Sequence, residues 1–363
     1  MLPSSWFDDQ GNQIGVQFRH RDSKARVDLT RLHFTSLLAS VVLAVILLVL
    51  LVSFADLDLA ATGRLLFPLR PQAFAEIVLL MGFNSFLAGE KWRLVVLSFD
   101  RGGSDIPRPV YFALSALGVA LGQILPVQVS TALCRWLGSR AYGGTAVKRG
   151  VGATMFEQLF DVLVAALVAL ASVVVIATGS GATAWCSVAI LAILGGFALC
   201  GAAAGVAASV SRQFGQRWRH HNGLARVLAG AGAAQLLGAG IARRLFLLSV
   251  LRFAVLVLVA AASADAVSLD IPLWHLAAAF PFGIFAAALA LTPGGVGVGE
   301  WSLASALHAF GTPLQVGAQW AIACRILTVL ASAACAAAAL AVVGLVRLFG
   351  ARNALPPYRQ PDR

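Results

Sequence analysis

The chain has 363 residues, 59% hydrophobic and only 12% charged, with a mean hydropathy of +0.84 and a formal net charge of +11. That composition excludes a large soluble domain and describes an all-α polytopic membrane protein. The expected layout is a basic cytosolic segment over residues 1–33, one membrane domain over 34–349 and a short cytosolic tail over 350–363, with no cytosolic catalytic domain.

The first apolar run, Phe34 to Ala55, is long enough to cross a bilayer, starts too late for a secretory signal and lacks a small-x-small cleavage site. It reads as an uncleaved first span. Arg19, Arg21, Lys24, Arg26 and Arg31 ahead of it place the N-terminus in the cytoplasm, because cytoplasmic loops carry the Lys and Arg. Phe74 to Leu97 returns from a charge-balanced outer loop to a basic stretch containing Lys91, Arg93, Arg101 and Arg108. The Glu90-Lys91-Trp92-Arg93 cluster at its end reads as an interfacial anchor of a Trp with flanking cations.

The next apolar segment, Pro109 to Val127, leads from one basic stretch into another containing Arg135, Arg140, Lys148 and Arg149. A single crossing would put one of them outside, so a re-entrant hairpin broken at Gly122 and Pro126 is expected. Gly152 to Thr178 crosses outward and Trp185 to Val210 returns to a long basic loop. Residues Leu224 to Arg244 read as a cytosolic surface helix, and Phe246 to Ala264 crosses outward again.

The last long helix, about Val316 to Phe349, ends at Arg347 and Arg352 inside and must start outside. Ile271 to Thr312 therefore has to leave and return to the outer face, as a second interrupted hairpin turning near Pro293-Gly294-Gly295. The count is about six full crossings plus two hairpins that open from opposite faces, a pattern that an inverted repeat would give.

Intramembrane acids are costly and call for partners. Glu157 and Asp161 lie four apart, on one helical face, and a rise of about 1.5 Å per residue puts Asp161 roughly 15 Å into the bilayer. Arg325, entering from the other side, falls at a similar depth, and Glu300 follows the loop containing Gly294, Gly295 and Gly297. These groups are expected to share one polar cavity, with Arg325 answering Glu300. The helix start after the Pro-Gly-Gly break, with Arg325 or Arg135 nearby, offers free N–H groups to an anionic headgroup. Arg252 lies two turns into its span and is left open between snorkelling and facing the cavity. His275 and His308 read as packing residues.

The five cysteines have no CxxC or His-paired spacing, so neither a metal site nor a disulfide framework is expected. Asp56-Leu57-Asp58 has a DxD spacing but reads as a solvated helix end. There is no GxSxG, HExxH, Walker loop or Rossmann fingerprint, so no enzymatic activity and no cofactor are expected.

The run Pro293 to Glu300 resembles the Pro-Gly-Gly-x-Gly-x-x-Glu signature of the lysylphosphatidylglycerol synthase transmembrane region, a flippase-like membrane family, and Arg325 resembles the arginine of its next helix. Glu157 within Phe156 to Asp161, the Trp92-Arg93 pair, and Leu125-Pro126 leading to Arg135 are similar to the family upstream, so the resemblance spans about residues 34 to 349. The chain departs at Ser130-Thr131-Ala132, where many members carry an acid, and at Glu157-Gln158, where a Glu-Arg pair is usual.

The resemblance implies a multi-pass protein of a bacterial inner membrane, with both termini cytoplasmic, that translocates an anionic phospholipid, a hopanoid-type lipid or a polyprenyl-phosphate-linked lipid. The substrate-binding set expected from the intramembrane charges and the glycine break is Glu300, Arg325, Asp161, Glu157, Arg135, Pro293, Gly294, Gly295 and Gly297. The alternative is a non-transporting accessory subunit of a lipid- or glycan-modifying enzyme. The departures put in question any charge-coupled role for the first hairpin.

Overall fold

The computed structural model describes residues 41–57, 63, 70–99, 106–125, 127–141, 147–214, 239–289 and 292–353, and every regular element among them is helical. In chain order these are α1 (Val41–Phe54), α2 (Pro71–Phe99), α3 (Arg108–Leu121), α4 (Val127–Ala141), α5 (Val147–Thr178), α6 (Ala182–Phe214), α7 (Ala239–Ala266), α8 (Leu273–Leu289), α9 (Val298–Ala309) and α10 (Leu314–Asn353). α2, α5, α6, α7 and α10 each contain a run long and apolar enough to cross a bilayer. α1 is shorter over its described part, and the start of the predicted first span lies outside the described residues.

Two helix pairs are too short to cross and form hairpins. In the first, α3 stops at Gly122, and the N–H groups of Gln123, Ile124 and Leu125 fold back onto Ala120 and Leu121 carbonyls before α4 begins. Pro126, predicted to break this hairpin, lies outside the described residues. The return arm is longer than the sequence reading allowed: α4 runs to Ala141, so Arg135 sits on a packed helix and not in a basic surface loop. In the second hairpin, α8 and α9 flank a tight Pro293–Gly295 turn. Gly294, Gly295 and Gly297 adopt φ of 58°, 72° and 83°, values that a Cβ disfavours, which is why this tip is written in glycine.

The contacts repeat under an exchange of halves. α2 packs on α7; α3 packs on α10 as α8 packs on α5; α4 packs on α5 as α9 packs on α10; α2 meets α10 as α7 meets α5. α2 and α7 run in opposite directions, since Ile77 and Met81 early in α2 pack with Val259 and Ala266 late in α7, while Val95 late in α2 packs with Ala242 early in α7. This is an inverted repeat, α1–α5 against α6–α10, with the two hairpins entering from opposite ends. α6 packs on α5, and α1 makes the matching contact with α10 through Leu51, Ala55 and Ala318.

Apolar surface has little to gain from helix association when the solvent is lipid, so close packing of small residues carries the interfaces. A Cβ on Gly89 of α2 would lie 3.1 Å from the α3 backbone at Tyr111, one on Gly118 would lie 3.2 Å from Thr131 Cα, and one on Gly317 would lie 3.3 Å from the Ala304 carbonyl. The last two bring α3 to α4 and α9 to α10. The hairpin tips themselves touch, since a Cβ on Gly294 would fall 2.1 Å from the Gln123 carbonyl oxygen. α1 closes over the second tip: Trp301 Nε1 donates to the Leu47 carbonyl at 2.8 Å, and Phe54 packs edge-on to the Trp301 ring at 5.9 Å.

Tip contact is therefore expected to be intolerant of a single methyl. Gly294→Ala combines a positive φ with a backbone clash and should destabilise the protein by about 1–3 kcal/mol, read as a lowered midpoint of thermal unfolding in detergent. Gly344→Ala, where nothing lies within 4 Å, should leave that midpoint unchanged or slightly raised.

Candidate functional site

Between the two hairpins, α2, α5, α7 and α10 enclose a cavity of about 330 Å³ whose polar wall includes Arg135, Glu157, Asp161, Arg252, Glu300 and Arg325. These charges come from α4, α5, α7, α9 and α10, and each is held by a named partner.

The first hairpin contributes Arg135 from α4. Both its terminal nitrogens donate to the Glu157 carboxylate on α5, the second at 3.3 Å, and the two side chains are 2% and 1% exposed. The guanidinium also lies over the Trp92 ring, 5.2 Å from its centroid, and Trp92 meets Tyr111 edge-on at 4.7 Å. Four residues beyond Glu157, one turn along α5, Asp161 divides its carboxylate: Lys91 Nζ donates to Oδ1 at 2.5 Å and Arg252 Nη1 to Oδ2 at 2.5 Å. Lys91 also reaches the Glu157 carbonyl at 3.3 Å, and Arg252 Nε donates to Asn84 Oδ1 at 2.9 Å.

The second hairpin mirrors the first with polarity reversed. Here the acid is on the hairpin arm and the base is on the spanning helix: Arg325 Nε of α10 donates to Glu300 Oε1 of α9 at 2.6 Å. Glu300 Oε2 accepts the Gly297 N–H at 2.6 Å, so the carboxylate caps its own helix. Arg325 Nη1 also donates to Gln123 Oε1 at 3.2 Å, tying α10 to the tip of the first hairpin.

Five of the predicted residues, Arg135, Glu157, Asp161, Glu300 and Arg325, thus face one cavity, while Pro293, Gly294, Gly295 and Gly297 do not line it and instead shape the tip beside it. At the start of α9, Glu300 Oε2 takes one backbone donor, the Gly297 N–H. Two readings are corrected. Lys91 and Trp92 are not an interfacial anchor: both are 0% exposed, and only Arg93 and Glu90 remain half-buried as an i,i+3 pair. Ala239–Arg244 belongs to α7 and not to a surface helix, while the rest of that predicted helix lies outside the described residues.

Arg252 is resolved toward the cavity. His275 and His308 both bind Thr312, through its hydroxyl at 3.0 Å and its carbonyl at 3.2 Å, and so brace the α9–α10 turn. Lys91 and Gln123 were missed as partners. A signal for Lys91 existed: Met81, Asn84, Ala88 and Lys91 fall at i, i+3, i+7 and i+10, a single helical stripe aimed inward.

The Arg135–Glu157 pair predicts a characteristic double-mutant pattern. Removing one partner strands the other charge in a sealed site, so Glu157→Gln should cost about 3–5 kcal/mol. Combining Arg135→Met with Glu157→Leu should recover most of that loss, read from unfolding midpoints of the single and double variants in detergent.

No curated protein and no solved structure matches the chain at a significant level. The family model of the lysylphosphatidylglycerol synthase TM region matches residues 37–336, so both hairpins and every cavity charge fall within it. The chain belongs to that family, a group of multi-pass membrane proteins associated with lipid modification or flipping.

Proposed function

We propose that the protein is a lipid translocase that passes an anionic headgroup through the cavity while the acyl chains remain in the bilayer. The observation that carries this reading is the setting of the charges: arginines and carboxylates line a cavity bounded by interrupted helices, inside a bundle whose outer surface is apolar. Irregular backbone and ionised groups at that depth are tolerated where they border a polar path, and a site at the interface of inverted repeats suits access from alternate sides.

The cavity volume of about 330 Å³ is at the small end for a ligand site and suits a headgroup better than a whole two-chain lipid. Large exposed side chains such as Leu79, Leu191 and Leu199 clothe the outside, where tails would lie. In this reading the basic ends of the helices face the cytoplasm of the cell membrane, following the distribution of Lys and Arg, and the chain performs no covalent chemistry.

In proteoliposomes, wild type should expose a fluorescent phosphatidylglycerol to an external quencher faster than empty vesicles do. Val119→Trp, which fills the cavity from α3 without removing a charge, should reduce that rate to the empty-vesicle level. Leu191→Ala on the outer face of α6 should not change it. Equal rates in wild type, Val119→Trp and empty vesicles would overturn the proposal.

A further inference from the structure

The buried charges do not balance evenly along the cavity. At the tip of the second hairpin Arg325 and Glu300 match one to one. In the cluster built by α2, α4, α5 and α7, the described residues place three cations, Lys91, Arg135 and Arg252, against two carboxylates, Glu157 and Asp161. Arg135 takes Glu157 through both terminal nitrogens, and Lys91 sits on Asp161. Arg252 is left with the other oxygen of a carboxylate already engaged, and with the neutral amide of Asn84. Three cations against two carboxylates leave the cluster about one negative charge short, and the shortfall falls on Arg252.

Within this cluster the exposures single out the same residue. The Lys91 and Arg135 side chains are 0% and 2% exposed, whereas those of Arg252 and Asp161 are 18% and 23% exposed at the cavity. A second, independent observation comes from the first hairpin. Ser115 Oγ and Arg135 Nε are buried, belong to residues lining the cavity, and have no hydrogen-bond partner. Buried donors without acceptors are rare and costly, so they mark the place of a missing acceptor. Beyond Arg252 on α7 the wall turns apolar, through Phe253 and Leu256, with Phe280 and Ile284 facing from α8.

We propose that Arg252 is the anion-binding residue of the cavity, that its ligand is the phosphodiester monoanion of an amphiphile, and that Asp161 is the internal counter-ion which this group displaces. The inference deepens the translocase reading and rests on it for the source of the ligand. A phosphodiester brings the one charge that the cluster lacks and several acceptor oxygens, which the arginine fork can meet. A phosphomonoester dianion would overcompensate, and a zwitterionic headgroup brings its own cation. Asp161, keeping Lys91, swings back to Arg252 when the ligand leaves, so the empty cavity never holds a bare guanidinium.

The test is binding, separate from transport. The purified full chain in detergent is titrated with short-chain phosphatidylglycerol and with short-chain phosphatidylcholine, followed by tryptophan fluorescence. Wild type should prefer phosphatidylglycerol, Arg252→Gln should weaken that binding by about tenfold or more, and Arg252→Lys should recover part of it. Asp161→Asn should tighten it several-fold, with the unfolding midpoint of each variant recorded alongside.

Competition by soluble glycerophosphoglycerol would support the phosphodiester and assign it to a free ester, whereas failure to compete supports a lipid. Equal binding of the two lipids by wild type, or unchanged binding by a folded Arg252→Gln, would overturn the site. Selective binding without transport would sink the translocase reading and leave the anion site standing, and transport with an inert Arg252 would do the reverse.

Discussion

An ionised group buried in an apolar helical bundle must have a partner, and the architecture of this protein is organised around meeting that requirement. Arg135 and Glu157 join a hairpin arm to a spanning helix, Glu300 and Arg325 do the same in the other repeat, and Asp161 links α5 to both α2 and α7 through Lys91 and Arg252. These bonds cross the α4–α5, α9–α10, α2–α5 and α5–α7 boundaries around the cavity. Lipid supplies no hydrophobic force to hold helices together, so polar links and close contacts of small residues set which helices meet and at what height. Gly118 against Thr131 and Gly317 against Ala304 supply the close approach, and the ion pairs supply the register.

The two repeats solve one problem with opposite signs. In the first, the hairpin arm carries the base and the spanning helix the acid; in the second, the assignment is exchanged. The exchange has a local cause at the second tip. Three glycines with positive φ expose the start of α9, and a carboxylate three residues on can cap the Gly297 N–H while still receiving Arg325. At the first tip the chain has Ser130-Thr131 where an acid could have stood; Ser130 Oγ bonds instead to the Gly118 carbonyl at 3.0 Å, pinning α4 to α3. The first hairpin is consequently left with an arginine and a hydroxyl whose hydrogen-bonding capacity is not used up within the protein. The asymmetry gives the cavity one side that is internally neutral and one side that is short of an anion.

Burial also explains why Trp92 reads misleadingly as an anchor. A tryptophan flanked by Glu, Lys and Arg at the end of an apolar run has the composition of an interfacial belt. Its ring instead lies between Tyr111 and the Arg135 guanidinium, so that aromatic surface shields a buried charge. Composition alone does not separate these cases, because both place a ring beside a cation.

Hydropathy and loop charge in the sequence determined that the chain spans a membrane, where the spans lie and that two segments turn back. These follow from the cost of leaving backbone or charge unsatisfied in hydrocarbon, which acts residue by residue along the chain. The Pro293 to Glu300 run with Arg325 was also legible, because a local break and its carboxylate are a local signal. Only the tertiary structure decided which cations answer Glu157 and Asp161. Helical spacing fixes the face a side chain points from, but Lys91 lies 70 residues from Asp161, Arg252 lies 91 residues from it, and Asn84 lies 168 residues from Arg252. Their meeting depends on the crossing of α2, α5 and α7, and that crossing is set by the packing of the two repeats against each other, which no local pattern encodes.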